Sequence, residues 1–331
     1  MKKYNLLVLT DPSNHSKENS LYALVEAMRK HPNCGLLDVA SKANPLNQSF
    51  FDANVQNTLS VARVDQRFQF DAQLTAFQSN IKTVSLDKYD FVWLRLPPPL
   101  SPRFLEYLQN TFRNKTVVND PKGIYETGSK AFLTRFPELC PPMQICRSIQ
   151  DIVHFKNRFP IVLKPFRDYG GKGIVRIEGE QVWEGKQQST WQDFVAKIKD
   201  KEIAYLGVKF LENVSMGDKR IIVVNGKIMG ASLRLPAADS WLCNVAMGGS
   251  SNMAEVEAEE IQIVEHINPI LSDMGIVMYG VDTLVGDEGK RILSEINTTS
   301  IGGLPQIARL RQLPLVEEAT DLIWQYFLKL K

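Results

Sequence analysis

Near the end of the chain, Asp282, Glu295 and Asn297 offer oxygen atoms at a spacing suited to holding a metal ion. Asp282 closes an apolar, β-prone stretch (276–282), and Glu295 and Asn297 lie in a second (292–297) beyond the polar turn Gly286-Asp287-Glu288-Gly289. Strand alternation puts Glu295 and Asn297 on one face. A four-residue hairpin pairing Val285 with Lys290 would set Asp282 opposite Leu293, on the same face. Oxygen ligands on adjacent strands suit a hard cation such as Mg2+ that also carries phosphate. An edge hairpin with solvated polar positions accounts for these residues equally well.

The second chemical signal is Gly170-Gly171-Lys172-Gly173. Glycines permit a tight turn whose backbone N–H groups approach an anion closely. The Walker spacing and its Ser or Thr are missing, and the loop sits between two strands rather than before a helix, which argues against a Rossmann site. Taken alone, an ordinary glycine hairpin is the simpler account. Lys164, however, closes the strand before the loop, and Lys130 sits on the preceding stretch from Ile124 to Phe136, read as one helix. Either could neutralise a phosphate, and either alone could be a solvated surface lysine. The combination of lysine, glycine loop and a distant Asp/Glu/Asn set is hard to assign to chance.

These residues need elements to hold them. With 331 residues, 44% hydrophobic and 23% charged, the chain has the composition of a globular protein of two or three domains. Thirty-nine basic and thirty-seven acidic residues leave almost no net charge, so no nucleic-acid role is indicated. Met1 to Thr10 reads as a buried strand rather than a signal peptide, since it runs into Asp11-Pro12 with no small-residue cleavage site. No apolar run approaches a membrane span, and Cys34, Cys140, Cys146 and Cys243 lack metal-ligand spacing, so the cytoplasm is the default compartment. Strands at 1–10, 89–94 and 116–119, with a helix between the first two that Ser20 would cap and His31-Pro32 would end, predict an α/β domain with a largely parallel sheet. Ligands bind at the carboxyl ends of such strands, where Arg95 and Asn119 stand. Residues 43–82 are polar and weakly periodic and read as an insertion or long loop. Asp120-Pro121 marks a boundary. Strands follow at 160–165, 174–177 and 205–210, then a hairpin about Asn225-Gly226, the pair that most readily forms a type I′ turn. A small-residue loop (236–252), a helix with Ile261, Val264, Ile267 and Leu271 on its apolar face, and a helix marked by Leu315, Ala319, Leu322 and Tyr326 complete the pattern.

The order of motifs resembles the ATP-grasp superfamily, and within it the bacterial glutathione synthetases. The resemblance rests on Val118-Asn119-Asp120-Pro121, Leu163-Lys164-Pro165 with Gly170-Gly171, the run from Gly217 to Gly226, and the run from Glu295 to Ser300. It is fragmentary from Asp11 to about Ser60 and continuous from about Phe91 to Ser300. It implies an N-terminal parallel-sheet α/β domain (1–120), a central α+β lid domain (121–206) and a C-terminal antiparallel-sheet catalytic domain (207–331). ATP would lie under the glycine loop, with Lys130, Lys164, Gly170 and Gly171 at its phosphates, Lys209, Phe210 and Leu211 as the adenine hinge, and Asp218 near the ribose. Asp282, Glu295 and Asn297 would hold Mg2+ or Mn2+, and Arg220 and Arg234 would face the transferred phosphate and acyl group. Arg95, Asn244, Gly248, Gly249, Thr299 and Ser300 would contact the substrates. The implied partners are small molecules and a second copy of the chain in a homo-oligomer, with no membrane.

The implied reaction is ATP-dependent joining of a carboxylate to an amine through an acylphosphate, most simply γ-glutamylcysteine with glycine. It needs cations but no enzyme nucleophile. The chain accordingly has no Ser/His/Asp or Cys/His set, and His15, His31, His154 and His266 are scattered. Two departures fall on the substrate side. The family's Arg-x-Asp-Pro-Pro-Phe-Asp run here reads Arg95-Leu96-Pro97-Pro98-Pro99-Leu100-Ser101, without its acids, and Leu242 replaces an arginine two residues before Asn244. An altered substrate pocket is therefore expected. The rival readings are a related ligase with another acid or amine and a non-catalytic ATP-binding protein.

Overall fold

The protein was analysed as a computed structural model, which describes residues 2–236 and 250–330. Its elements run β1 (Tyr4–Thr10), α1 (Ser20–Lys30), β2 (Cys34–Ser41), α2 (Gln48–Phe51), β3 (Thr58–Arg63), β4 (Ile81–Ser85), β5 (Phe91–Arg95), α3 (Pro102–Thr111), β6 (Thr116–Val118) and α4 (Pro121–Thr127) through the first sheet. That sheet has the order β4-β3-β2-β1-β5-β6. β1 lies parallel to β2 and β5, and β6 parallel to β5. Both faces are covered, so Leu6, Leu7, Val8 and Leu9 are all buried, as a consecutive apolar run requires. Asn19 rather than Ser20 caps α1, its side chain accepting from the Leu21 N–H. The segment 43–82 is not a loop. It supplies α2 and the two strands β3 and β4, which pair antiparallel at the sheet edge. β3 buries Leu59, Ser60, Val61 and Ala62 in succession and β4 is largely exposed, so neither strand carries the apolar–polar alternation that marks a strand in sequence.

The second sheet is built from β7 (Met143–Cys146), α5 (Ile149–Lys156), β8 (Ile161–Pro165), β9 (Val175–Glu178), β10 (Gln181–Glu184), β11 (Gln187–Thr190), α6 (Trp191–Ile198) and β12 (Tyr205–Lys209). Its order is β11-β10-β9-β8-β12-β7, every pairing antiparallel. Phe155 and Phe194 from the two helices fill a small core beneath Ile161, Leu163 and Ile177. The expected single helix over 124–136 is two pieces. α4 stops at Gly128, and a 3-10 turn over Lys130–Arg135 follows, capped by the Ser129 hydroxyl.

The third sheet comprises β13 (Asp218–Val224), β14 (Lys227–Leu235), β15 (Ser250–Ala254), β16 (Met278–Val285) and β17 (Arg291–Asn297), with helices α7 (Ala258–Asp273), α8 (Leu304–Arg311) and α9 (Leu315–Lys329). Its order is β15-β14-β13-β16-β17, wholly antiparallel. Asn225 and Gly226 both take positive φ (47° and 81°), the type I′ geometry their identities predict. β15 begins at Ser250, inside the stretch read as loop. On α7 the buried face is Ile263, Val264, Ile267 and Leu271, and Ile261 is exposed. Buried Glu260, paired with Lys219 at 2.8 Å, occupies the turn where an apolar residue was expected. α9 buries Ile323, Trp324 and Phe327 in place of Leu322 and Tyr326. These residues pack on the first sheet, where Phe327 stacks on Phe91 with ring centroids 4.5 Å apart. No helix among the described residues is long and apolar enough to cross a membrane.

Candidate active site

The floor of the site is one face of the third sheet. The turn after β16 is one residue longer than expected, the Gly286 N–H donating to the Lys290 carbonyl, so Val285 pairs with Arg291. A bulge at Ser294 then moves the register again, and Asp282 stands opposite Glu295 rather than Leu293. Across the other edge of β16, Asp282 pairs with Arg220, and further along β13 Asp218 pairs with Arg234. Two carboxylates and two guanidinium groups thus share a face with Glu295 and Asn297.

Arg220 grips Asp282 with two bonds, from Nε at 2.7 Å and Nη2 at 2.6 Å. Arg234 reaches Asp282 at 2.9 Å and also binds Asp218, and Asn297 Nδ2 donates to Asp282 at 3.1 Å. Burial alone would raise the Asp282 carboxyl, but the two arginines outweigh it and hold it well below the usual carboxylate range. Asp218 goes the other way. Burial and the neighbouring Asp282 charge push it up to about 6, against the pull of Arg234.

The roof comes from the second sheet. Lys164, at the end of β8, is half-buried and donates to the carbonyl and hydroxyl of the bulged Ser294, each at 3.3 Å. Burial depresses its ammonium, while the charge of Glu295 opposes that shift. Gly170 and Gly171 take positive φ (67° and 77°), which lets the loop turn over the cavity without a Cβ. The loop is tied down by Tyr169, whose hydroxyl donates to the Gly128 carbonyl at 2.9 Å. Lys130 bridges the loop to the floor, donating to the Asp168 carbonyl at 2.8 Å and to Glu295 at 3.1 Å.

Floor and roof enclose a cavity of about 380 Å³. It brings together Lys164, Gly170, Gly171, Lys209, Phe210 and Leu211 with Asp218, Arg220 and Arg234, and these with Asp282, Glu295, Asn297, Thr299 and Ser300. Lys130 lies in the adjoining crevice with Glu295 and Tyr169. Sequence reasoning missed the walls. Val162, Ile174 and Leu284 form apolar sides suited to a flat base, beside Val208 of the expected hinge strand, and Tyr169 and Ser294 line the cavity too. Val162, Ile174 and Leu284 look like ordinary core residues in sequence, whereas Tyr169 could have been found from its place before the glycines. The hinge is also partly committed. The N–H groups of Lys209 and Phe210 donate to Pro142 and Pro160 carbonyls, so neither is available to a base.

Arg95 does not line the cavity. It is 3% exposed and donates from Nη2 to Ser20 Oγ at 3.0 Å and to the Ile301 carbonyl at 2.8 Å. A strand-end position marks a residue as near the site, but the packing of α1 and the loop after β17 turns this one inward. Asn119 is likewise buried, bonding Met278 and Thr298. Asn244, Gly248, Gly249 and Leu242 lie outside the described residues.

No group of three or more His, Cys, Asp or Glu side chains able to hold a metal ion occurs among the described residues. Mg2+ asks for less, since it keeps waters and takes one or two carboxylates beside phosphate oxygens. Glu295 and the Asn297 amide meet that demand, while Asp282 is already committed to two arginines.

The family pattern for the ATP-grasp domain of prokaryotic glutathione synthetase matches residues 129–312. The glutathione synthetase of Bradyrhizobium diazoefficiens is 32% identical over 248 residues, covering 74% of this chain and 76% of that one. The chain belongs to the prokaryotic glutathione synthetase family. The Brucella melitensis enzyme of the same name is 31% identical over 229 residues, covering 68% of this chain and 70% of its own. Among solved structures, a D-cycloserine synthetase superposes with a TM-score of 0.62 at 12% identity, covering 95% of this chain and 98% of that one. A D-alanine–D-alanine ligase from Bacillus anthracis, complexed with ATP, gives 0.59 at 14% identity, covering 99% and 98%. At those identities the structures establish the ATP-grasp fold. As a member of the glutathione synthetase family the protein is an ATP-dependent ligase that forms a C–N bond.

Proposed function

We propose that this family member joins the terminal carboxyl of γ-glutamylcysteine to the amine of glycine, using ATP with Mg2+. The observation that carries the reading is the floor of the cavity, where Asp282 opposite Glu295 is flanked by Arg220 and Arg234 under Lys164. A carboxylate becomes electrophilic once it attacks the γ-phosphate, breaking the bond to the β-phosphate and releasing ADP, and forms an acylphosphate. The amine then displaces phosphate, releasing inorganic phosphate and a proton. Lys164 and Lys130 would offset the phosphate charge, and the glycine loop would exclude water from the acylphosphate. The apolar walls at Val162, Ile174 and Leu284 would hold the base. Glu295 and Asn297 would hold Mg2+, which when bound neutralises charge on the phosphate oxygens. Asp282 keeps the two guanidinium groups aimed across the floor, where the transferring phosphoryl group needs cations.

Glu295→Ala removes the one carboxylate left uncommitted to arginine. It is expected to abolish phosphate release from ATP, γ-glutamylcysteine and glycine while leaving the thermal transition in place. Full activity in the folded variant would rule the metal role out. The buried Arg95 and the lost acids beside it favour a second reading, in which another acid or amine is used. Mass identification of products from a donor and amine panel decides between the two.

A further inference from the structure

We propose that Arg95 is a positioning residue for the loop carrying Thr299 and Ser300, and that it governs affinity for the carboxylate substrate rather than for ATP. The proposal deepens the ligase reading above and rests on it for the identity of that substrate. The loop leaves β17 and runs along the cavity, and it is pinned from behind at two points. At Thr298, the carbonyl accepts from Asn119 Nδ2 at 2.7 Å and the hydroxyl meets that of Thr127 at 2.8 Å. At Ile301, the carbonyl accepts from both Arg95 Nη2 at 2.8 Å and Ser20 Oγ at 3.0 Å. Between the pins stand Thr299 and Ser300, both lining the cavity. Ser300 has φ of 44°, a left-handed conformation that a residue with a Cβ keeps only when its surroundings enforce it.

Arg95 is an unusual choice for packing alone. Its guanidinium has no carboxylate within ion-pair distance among the described residues, and its Nε has no partner. Its Nη1 also donates toward the Met278 sulfur at 3.6 Å, and the guanidinium lies 5.4 Å from the Trp93 ring. A buried cation with only neutral partners is disfavoured unless its geometry is needed. What arginine supplies is a planar fork that holds the Ile301 carbonyl and the Ser20 hydroxyl together. The uncompensated charge behind that carbonyl also favours an anionic group in front of it. Arg95 and Ser20 themselves line neither the cavity nor the crevice that holds Lys130, so they reach the site only through this loop.

The test uses Arg95→Lys, which keeps the charge and loses the fork, and Ser20→Ala, which removes the second donor to the same carbonyl. Amide exchange over 298–303 without substrate, ATP Kd by calorimetry and steady-state kinetics are read for each. Exchange should accelerate about tenfold in Arg95→Lys, with KM for γ-glutamylcysteine up by a similar factor and ATP Kd changed less than about twofold. Ser20→Ala should shift the same two quantities in the same direction by less, and it carries the test should Arg95→Lys not fold. Wild-type exchange in Arg95→Lys, or a parallel rise in the ATP and acid constants, would overturn the proposal. Exchange requires no turnover. A wild-type enzyme inactive on γ-glutamylcysteine and glycine therefore removes the substrate reading, and the exchange result still decides whether Arg95 holds the loop.

Discussion

Lys164 binds the one residue that bulges out of β17, so the ammonium is held over the floor before any ligand arrives. Lys164→Met keeps the length and removes the charge. A hydrogen bond to a charged group contributes about 1.5–3 kcal/mol, so ATP affinity should fall about tenfold or more by calorimetry. Unchanged affinity would place the phosphates elsewhere. At this scale the polar residues were legible mainly through the order of motifs that the family resemblance supplied, since Asp282, Glu295 and Asn297 by type and spacing alone fit solvated positions as well. The apolar walls were not, since Val162 and Leu284 differ from core residues only in what lies in front of them. Arg95 was legible as important, yet its partners come from α1 and from the loop after β17, and no local pattern shows that meeting.

The floor belongs to elements rather than to single residues, because strand register decides which charges meet. Asp282 has its folded-state pKa depressed, so its contribution to stability is present above the unfolded value near 4 and lost as pH falls below it. Asp218 has the opposite sign, keeping its proton in the folded state up to about 6, so its contribution is lost as pH rises through that value. Asp282→Asn should cost about 2–3 kcal/mol in urea unfolding at pH 7, because two half-buried arginines lose their shared anion and only Arg234 keeps another, Asp218. The gap between variant and wild type should narrow below about pH 4. A gap constant from pH 7 to pH 3 would assign the loss to packing instead. The hairpins at Asn225-Gly226 and at Gly286 could be read from turn residues, whereas the bulge at Ser294 has no signature of its own. It is visible only once Arg220, Asp282 and Glu295 line up across three strands.

In the whole molecule, the cavity joins the second and third sheets, and α9 joins the first to the third. α9 follows the third sheet in sequence but lies on the first, with Phe327 and Trp324 against Phe91 and His31 stacked on Trp324. Phe327→Ala opens a cavity there and should cost about 3–5 kcal/mol in urea unfolding. ATP affinity of the folded fraction should stay as in wild type, since the helix contributes no residue to the cavity lining. A loss of affinity at full folding would mean that α9 sets the spacing of the two sheets. The amphipathic character of α9 could be read from sequence, but its buried face could not. Leu322 and Tyr326 fit a helical stripe as well as Ile323 and Phe327 do until the partner surface is known.

The placement of α9 also bears on synthesis. β1, β2 and β5 leave the ribosome early, while the helix that covers Phe91 is made almost at the end. At about 5–20 residues per second, the apolar face of the nascent first sheet waits on the order of tens of seconds for its cover. During that wait it is a surface for chaperones, or for other unfinished chains.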